Sequence, residues 1–234
     1  MTKNEKLKTF LTATKGGIII SCQSSLGDPT HSPEFMVAFA ESALRGGASG
    51  LRVNGVEDIQ AIRKRVDLPI IGIWKRPGLD AHGILITPTF DDACRLVEAG
   101  ADLIALDTTA RVRPNQENVA EIVTRIQTEL HTPVMADCHV FEDSVRTGAD
   151  IAAPTLSLDD TSDEYTPDFP LIEELLRRQK RPVIAEGRFW NPDDVIHAFT
   201  LGVHAVVIGS AVTRPWLITE RYVRASLKNR SREA

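Results

Sequence analysis

The amino-acid sequence predicts an α/β fold, a single (β/α)8 TIM barrel spanning residues 1–234. Three observations predict it. Eight short apolar runs alternate with longer segments whose apolar residues recur every three or four positions. The runs are apolar at every position, which fits strands covered on both faces, as in a parallel sheet. Glycine and proline also recur between them at a period of about two βα units, a fourfold quasi-repetition that suits a closed barrel better than an open doubly wound sheet.

The elements follow in order. Leu7, Phe10 and Leu11 sit at helical spacing within residues 1–15 and predict a short N-terminal helix. The strand runs are Ile18 to Cys22, Gly50 to Val53, Ile70 to Ile73, Leu103 to Leu106, Val134 to Ala136, Ile151 to Ala153, Val183 to Ala185 and Ala205 to Ile208. Helical patterns cover Glu34 to Leu44, Val56 to Val66, Asp91 to Ala99, Asn118 to Leu130, Leu171 to Gln179 and Asp193 to Leu201. Gly47, Gly100, Gly148 and Gly202 each stand between a helix and the next strand, where a left-handed cap turns the chain back. Pro69, Pro133 and Pro182 open the third, fifth and seventh strands. Two connections exceed the repeat, Pro77 to Thr89 after the third strand and Asp159 to Pro170 after the sixth; both are expected on the catalytic face, where loops act as lids. Residues 226–234 read as a polar, solvated tail.

Composition excludes several classes. Lys plus Arg number 27 against 32 Asp plus Glu, a formal charge of −5, so neither a basic balance nor a basic stripe invites nucleic acid. No run approaches the length of a membrane span, and the polar first fifteen residues do not resemble a secretory leader. Cys22, Cys94 and Cys138 are odd in number and far apart, which fits neither a disulfide framework nor a cysteine-based zinc site. A cytoplasmic enzyme acting on a small molecule is the expectation.

Barrel chemistry sits at the carboxyl ends of the strands. Walking round, those ends carry Gln23, Arg52, Lys75, Asp107, Asp137, Ser157, Glu186 and Gly209-Ser210. Lys75 directly follows an apolar strand; near apolar walls and the cation Arg52, its amine becomes a base or a Schiff-base nucleophile, unless it only snorkels to solvent. Glu186, also straight after a strand, is a carboxyl whose pKa burial would raise, or else a partner for Arg188 or Arg52. Gly187-Arg188 and Gly209-Ser210 follow strands seven and eight, where many barrels bind phosphate, and Arg214 adds a cation. Asp107, Asp137 and His139 give a weak metal pattern: no two histidines follow separate strands, so no metal is expected.

Taken together, these segments resemble the N-acetylmannosamine-6-phosphate 2-epimerase family. The resemblance runs in order from about Gly16 to Tyr222 through Ile20-Ser21-Cys22-Gln23, Leu51-Arg52-Val53-Asn54-Gly55, Gly72-Ile73-Trp74-Lys75-Arg76, Met135-Ala136-Asp137-Cys138, Thr155-Leu156-Ser157, Ala185-Glu186-Gly187-Arg188 and Gly209-Ser210-Ala211-Val212-Thr213-Arg214. It implies a cytosolic enzyme of sialic-acid catabolism that interconverts N-acetylmannosamine 6-phosphate and N-acetylglucosamine 6-phosphate, with no cofactor. It further implies Lys75 and Glu186 as the acid/base residues, with Gln23, Arg52, Asp137 and Arg214 at the substrate. A homodimer is also implied; Trp216, on the last helix, packs either a partner or the barrel. The family pattern Ser-Gly-Tyr-Thr after the sixth strand is replaced here by Ser157-Leu158-Asp159-Asp160, which puts that loop and the recognition of the N-acyl group in question. Two competing readings share the fold: a Schiff-base aldolase using Lys75, and a sugar-phosphate-binding barrel without activity.

Overall fold

A computed structural model describes residues 1–77, 83–157 and 165–230, the side chains of 228–230 excepted. The barrel strands are β1 (Ile18–Cys22), β2 (Gly50–Asn54), β3 (Ile70–Ile73), β6 (Leu103–Asp107), β7 (Val134–Asp137), β8 (Ile151–Ala153), β9 (Ile184–Glu186) and β10 (Ala205–Ile208). All pair in parallel in the order β8-β7-β6-β3-β2-β1-β10-β9, and a parallel bridge between Ala152 and Val183 joins the last pair to close the ring. The extra labels belong to a two-stranded antiparallel hairpin, β4 (Lys75–Pro77) with β5 (Ile84–Ile86), inserted after β3.

Alternate side chains of each strand face opposite ways, and the two sets bury differently. Ile19, Ile71, Ile73, Leu103, Ala105, Met135, Ile151, Ala153, Ile184, Ala205 and Val207 share one buried cluster, the barrel interior. Leu7, Phe10 and Leu11 of α1 (Lys3–Thr14) belong to the same cluster. The N-terminal helix therefore plugs one end of the barrel, and the sequence spacing of those three residues is explained. The outward residues, such as Leu51, Val53, Ile104 and Val134, pack beneath the surrounding helices α2 (Pro33–Arg45), α3 (Val56–Arg63), α4 (Phe90–Ala99) and α5 (Val119–Thr128). A second outer cluster packs Ala152, Val183 and Val206 under α7 (Phe169–Arg178) and α8 (Pro192–Leu201).

Local chemistry ends the helices where expected. Gly100 and Gly202 close α4 and α8 in the left-handed conformation, at φ 113° and 101°. The hydroxyl of Thr89 accepts from the Asp92 N–H to cap α4.

Three features differ from expectation. The long connection after β3 holds the hairpin, so Lys75 begins β4 instead of ending β3. Its described part is orderly; residues 78–82 lie outside the described residues. A short helix, α6 (Phe141–Val145), fills the β7–β8 connection. After β10 come α9 (Ser210–Thr213) and α10 (Pro215–Arg230), so the first part of the polar tail assigned to 226–234 is helical. Trp216 on α10 is 42% exposed. Among the described residues no helix is long and apolar enough to cross a membrane.

Phe10, 2% exposed, is the largest side chain of the barrel plug. Phe10→Ala should lower stability by about 3–5 kcal/mol, read from urea unfolding, because its cavity lies inside a closed ring of strands that cannot collapse inward.

Candidate active site

Continuing the two-residue alternation past the apolar interior generates the site. Ile19 leads to Ser21 and Gln23, Gly50 to Arg52, Ile73 to Lys75, Ala105 to Asp107, Met135 to Asp137, Ala153 to Thr155, Ile184 to Glu186 and Val207 to Gly209. The inward face thus changes from apolar to polar at one end of the barrel. A cavity of about 380 Å³ opens there, and its lining includes Gln23, Lys75, Thr155, Glu186, Ser210 and Arg214. Two predicted substrate residues, Arg52 and Asp137, are absent from that lining and lie behind it, 1% and 0% exposed.

Arg52 organises the charges. Its Nη1 and Nη2 donate to Asp137 Oδ1 and Oδ2 at 3.1 and 2.7 Å, a fork-on-fork pair. Its Nε lies 3.2 Å from Glu186 Oε1. The sequence alternative for Glu186, a partnership with Arg52, is therefore present alongside its place in the cavity. Asp137 Oδ1 also accepts from the Thr155 hydroxyl at 2.7 Å.

Lys75 is held by backbone contacts. Its N–H donates to Asn54 Oδ1 at 2.8 Å, and the preceding Trp74 N–H donates to Thr87 Oγ1 at 3.0 Å. The guanidinium of Arg76 stacks 3.8 Å from the Trp74 ring centre and donates to Asp92, which fastens the hairpin to α4. Burial lowers the Lys75 amine to about 8, and the cations Arg52 and Arg214 push the same way. Burial raises the Glu186 carboxyl to about 7 against the pull of Arg52, with Asp137 adding to the rise. Three polar atoms at this end are buried without a hydrogen-bond partner: Arg52 Nε, which has only its ion-pair contact with Glu186, Gln23 Oε1 and Glu186 Oε2. Buried polar groups are nearly always paired, so the two oxygens are positions that suit a ligand.

The expected phosphate end is present as backbone. Gly187, at φ 105°, and Gly209 both line the cavity, and Gly209 lies so close to Ser21 that an added Cβ would sit 3.3 Å from the serine Cβ. Ser210 opens α9, and Thr213 Oγ1 donates to the Ser21 carbonyl at 2.9 Å, fixing that turn against β1. Arg188 also lines the cavity, but its guanidinium donates to the carbonyls of Thr166 and Ser157 at 2.6 and 3.1 Å. Ser157 in turn donates to Asp168, the N-cap of α7. Both residues thus tie the β8–α7 connection to the end of β9.

The carboxylates of the weak metal pattern are engaged by other groups. Asp107 accepts from the Thr109 N–H and hydroxyl at 2.8 and 2.6 Å and faces Arg111, while Asp137 is gripped by Arg52. His139 Nδ1 lies 3.0 Å from the Leu156 carbonyl.

Several lining residues were missed in the sequence. Thr155 was passed over for Ser157, although counting by twos from Ala153 selects it. Tyr165 and Trp190 meet edge to face at 5.5 Å, with the Arg221 guanidinium 5.0 and 5.4 Å from their rings. Leu217 and Glu220 of α10 also line the cavity.

Comparison with known proteins places this arrangement. A family model described as "NanE: Putative N-acetylmannosamine-6-phosphate epimerase" matches residues 36–228. The chain belongs to this family. A protein of Clostridioides difficile strain 630, described as "Putative N-acetylmannosamine-6-phosphate 2-epimerase", is 44% identical over 221 residues, covering 92% of this chain and 98% of that protein. A protein of Caldanaerobacter subterraneus with the same description is 40% identical over 218 residues, covering 89% and 90%. The solved structure of the N-acetylmannosamine-6-phosphate 2-epimerase from Clostridium perfringens matches with a TM-score of 0.85 at 38% identity, covering 92% of this chain and 95% of that one. A thiamine phosphate pyrophosphorylase from Pyrococcus furiosus, at TM-score 0.57 and 16% identity, covers 86% and 89% and shares the fold alone.

Beyond the departure at Ser157-Leu158-Asp159-Asp160, Tyr165 lines the cavity. Leu158, Asp159 and Asp160 lie outside the described residues.

Asp137→Ala should lower stability by about 3 kcal/mol, measured by thermal or urea unfolding. It leaves the Arg52 guanidinium buried with Glu186 as its remaining carboxylate.

Proposed function

We propose that this chain is an N-acetylmannosamine-6-phosphate 2-epimerase that inverts C2 by proton exchange between Lys75, Glu186 and the substrate. The observation carrying this reading is that a lysine and a carboxyl on different strands border one cavity, with pKa values brought together around neutrality, about 8 and about 7.

Inversion at C2 requires the open-chain sugar, because only an adjacent C1 aldehyde makes the C2 proton acidic. One base removes that proton, and the C–H electron pair passes into an enolate on C1. A protonated group on the opposite face then returns a proton to C2, and the ring recloses. A reversible enzyme needs each of its two groups as base in one direction and as acid in the other. That requires one proton between Lys75 and Glu186, placed on either. Because the two values differ by about one unit, the two placements differ in population by roughly tenfold, a small gap. A lysine and a glutamate at their ordinary values would differ by about six units and leave one placement unpopulated.

Arg52 serves the reaction through Glu186, which it holds by its Nε. The backbone at Gly187, Gly209 and Ser210, with the Arg214 cation, is the proposed seat of the 6-phosphate. Gln23 Oε1 supplies an acceptor for a substrate hydroxyl or amide N–H.

Proton NMR of N-acetylmannosamine 6-phosphate with the enzyme in heavy water should show epimerisation with deuterium entering only at C2. Label elsewhere, or no exchange, sinks the reading. Treatment with borohydride and substrate should leave Lys75 unmodified; a reduced adduct there would favour the aldolase.

The dependence of kcat/KM on pH should be a narrow bell. Below about 7 both groups are protonated and no base remains, and above about 8 both are deprotonated and no acid remains. Lys75→Ala and Glu186→Ala should each lose several orders of magnitude in turnover while the fold, read by circular dichroism, survives.

A further inference from the structure

Thr87 stands where the chain leaves the barrel for the β4–β5 hairpin and returns from it. The parallel register of β3 with β6 ends at Gly72 opposite Ile104, and Lys75 pairs with Ile86 across the hairpin. Trp74 lies between these two pairings, and Thr87 takes both of its backbone groups. The Trp74 N–H donates to Thr87 Oγ1 at 3.0 Å, and the Trp74 carbonyl accepts from the Thr87 N–H at 2.7 Å. The Thr87 hydroxyl gives its own proton to the Ala105 carbonyl of β6 at 2.8 Å. A hydroxyl has one proton and two lone pairs, so it can accept from Trp74 and donate to β6 together. One side chain thus links the end of β3 to β6 after their own register has stopped. Thr87 is 0% exposed, and its φ of 46° is strained for a β-branched residue. Glycine would take that backbone freely, but it has no hydroxyl.

We propose that Thr87 is a positioning residue for Lys75: its hydroxyl ties Trp74 to β6 and so holds the lysine beside Ile86, at the wall of the cavity. This rests on the reading of Lys75 as one of two proton carriers. Lys75 and Ile86 are direct cross-strand neighbours whose side chains share a face, and Ile86 belongs to the barrel interior. Trp74 instead packs against the outer cluster, with the guanidinium groups of Arg76 and Arg95 on its ring. Without the Thr87 hydroxyl, the Trp74 N–H loses its acceptor and the base of the hairpin loosens. The lysine stem is then free to swing toward water. The charged groups facing the amine are Arg52 from β2, Asp137 from β7, Glu186 from β9 and Arg214 beyond α9. None of them lies on the hairpin. A loosened hairpin therefore moves the amine relative to all four and out of the apolar surroundings that lower its pKa.

The test titrates Lys75 directly, by carbon-13 NMR of lysine labelled at Cε in the intact enzyme, with the resonance assigned by its absence from Lys75→Met. Thr87→Val keeps the shape and removes the hydroxyl. In it the Lys75 midpoint should rise from about 8 by about one pH unit as burial is relieved. Its kcat should fall roughly 10- to 100-fold, with KM changed by less than about threefold. Thr87→Ser should keep the native midpoint and turnover. Thr87→Gly, which accepts the left-handed backbone, should repeat the valine result and provides the comparison if the valine variant unfolds early. A native midpoint or a native kcat in Thr87→Val overturns the proposal, even where urea unfolding shows lost stability. A serine variant as impaired as the valine one overturns it as well. Failure of the underlying reading looks different: Lys75→Met would keep near-native turnover, which removes the reaction that Thr87 is proposed to serve.

Discussion

A guanidinium enclosed in a barrel of hydrocarbon side chains is the constraint around which this site is built. Arg52 is 1% exposed, and removing such a charge from water costs several kcal/mol unless partners replace the lost solvation. Asp137 supplies two aligned acceptors and Glu186 a third contact. With Lys75 added, the cluster holds two potential cations and two potential anions. Arg52 and Asp137 take up one of each in a fixed pair, which leaves Lys75 and Glu186 to divide one proton with no change in the net charge of the cluster. In a site of low dielectric that equality matters, because a proton transferred within a neutral group of four avoids creating an uncompensated charge.

The fold makes this assembly possible through its register. Eight parallel strands enter the ring with the same alternation, so the residues at their carboxyl ends converge, and the sequence need only change from apolar to polar one step further along each strand. Lys75 departs from this pattern in an informative way. β3 ends at Ile73, and the chain then breaks from the barrel into the β4–β5 hairpin. The inward direction is retained because Trp74 and Lys75 are tied by Thr87 and Asn54. A lysine at a plain strand end has a long, mobile stem that readily reaches water. Here its backbone is paired on the hairpin and its amine stays close enough to the apolar wall for its pKa to fall.

The barrel was legible in the sequence because its evidence is periodic. Strands buried on both faces have no polar positions to blur their limits, so Ile18–Cys22, Ile70–Ile73, Ile151–Ala153 and Ala205–Ile208 match their apolar runs residue for residue. Glycine punctuation marked the returns at Gly100 and Gly202 for a reason of backbone sterics alone. The hairpin and α9 were not visible, since three- and four-residue elements fall below the length at which periodicity can be read. Lys75, Glu186 and Gln23 could be picked out as polar residues following apolar runs, and Arg214 as a cation just beyond the Gly209-Ser210 turn. The pairing of Arg52 with Asp137 could not, because contacts across a barrel depend on strand tilt and stagger, which local sequence does not record. Thr155 and Tyr165 were hidden for another reason. A threonine near a strand end is ordinary, and Tyr165 lies beyond a long acidic stretch that separates it from the strand that positions it.

Desolvation links the two ends of this reasoning. The apolar interior that stabilises the barrel, with Ile73, Ile86 and Val207 at 0–4% exposure, also surrounds the polar end. Removing water from a lysine disfavours its charged form and lowers its pKa; removing water from a glutamate disfavours its charged form and raises its pKa. One physical effect therefore moves Lys75 and Glu186 in opposite directions, toward each other. No separate device is needed for each group, and their convergence near neutrality follows from placing an amine and a carboxyl against the same dry wall. Arg52 opposes the rise at Glu186 but adds to the fall at Lys75, while Asp137 does the reverse at both. The fixed ion pair thus exerts opposing pulls on each mobile group and leaves the shared burial as the larger influence. The hydrophobic core in this way reaches into the chemistry, and the proton is free to sit on either side of C2.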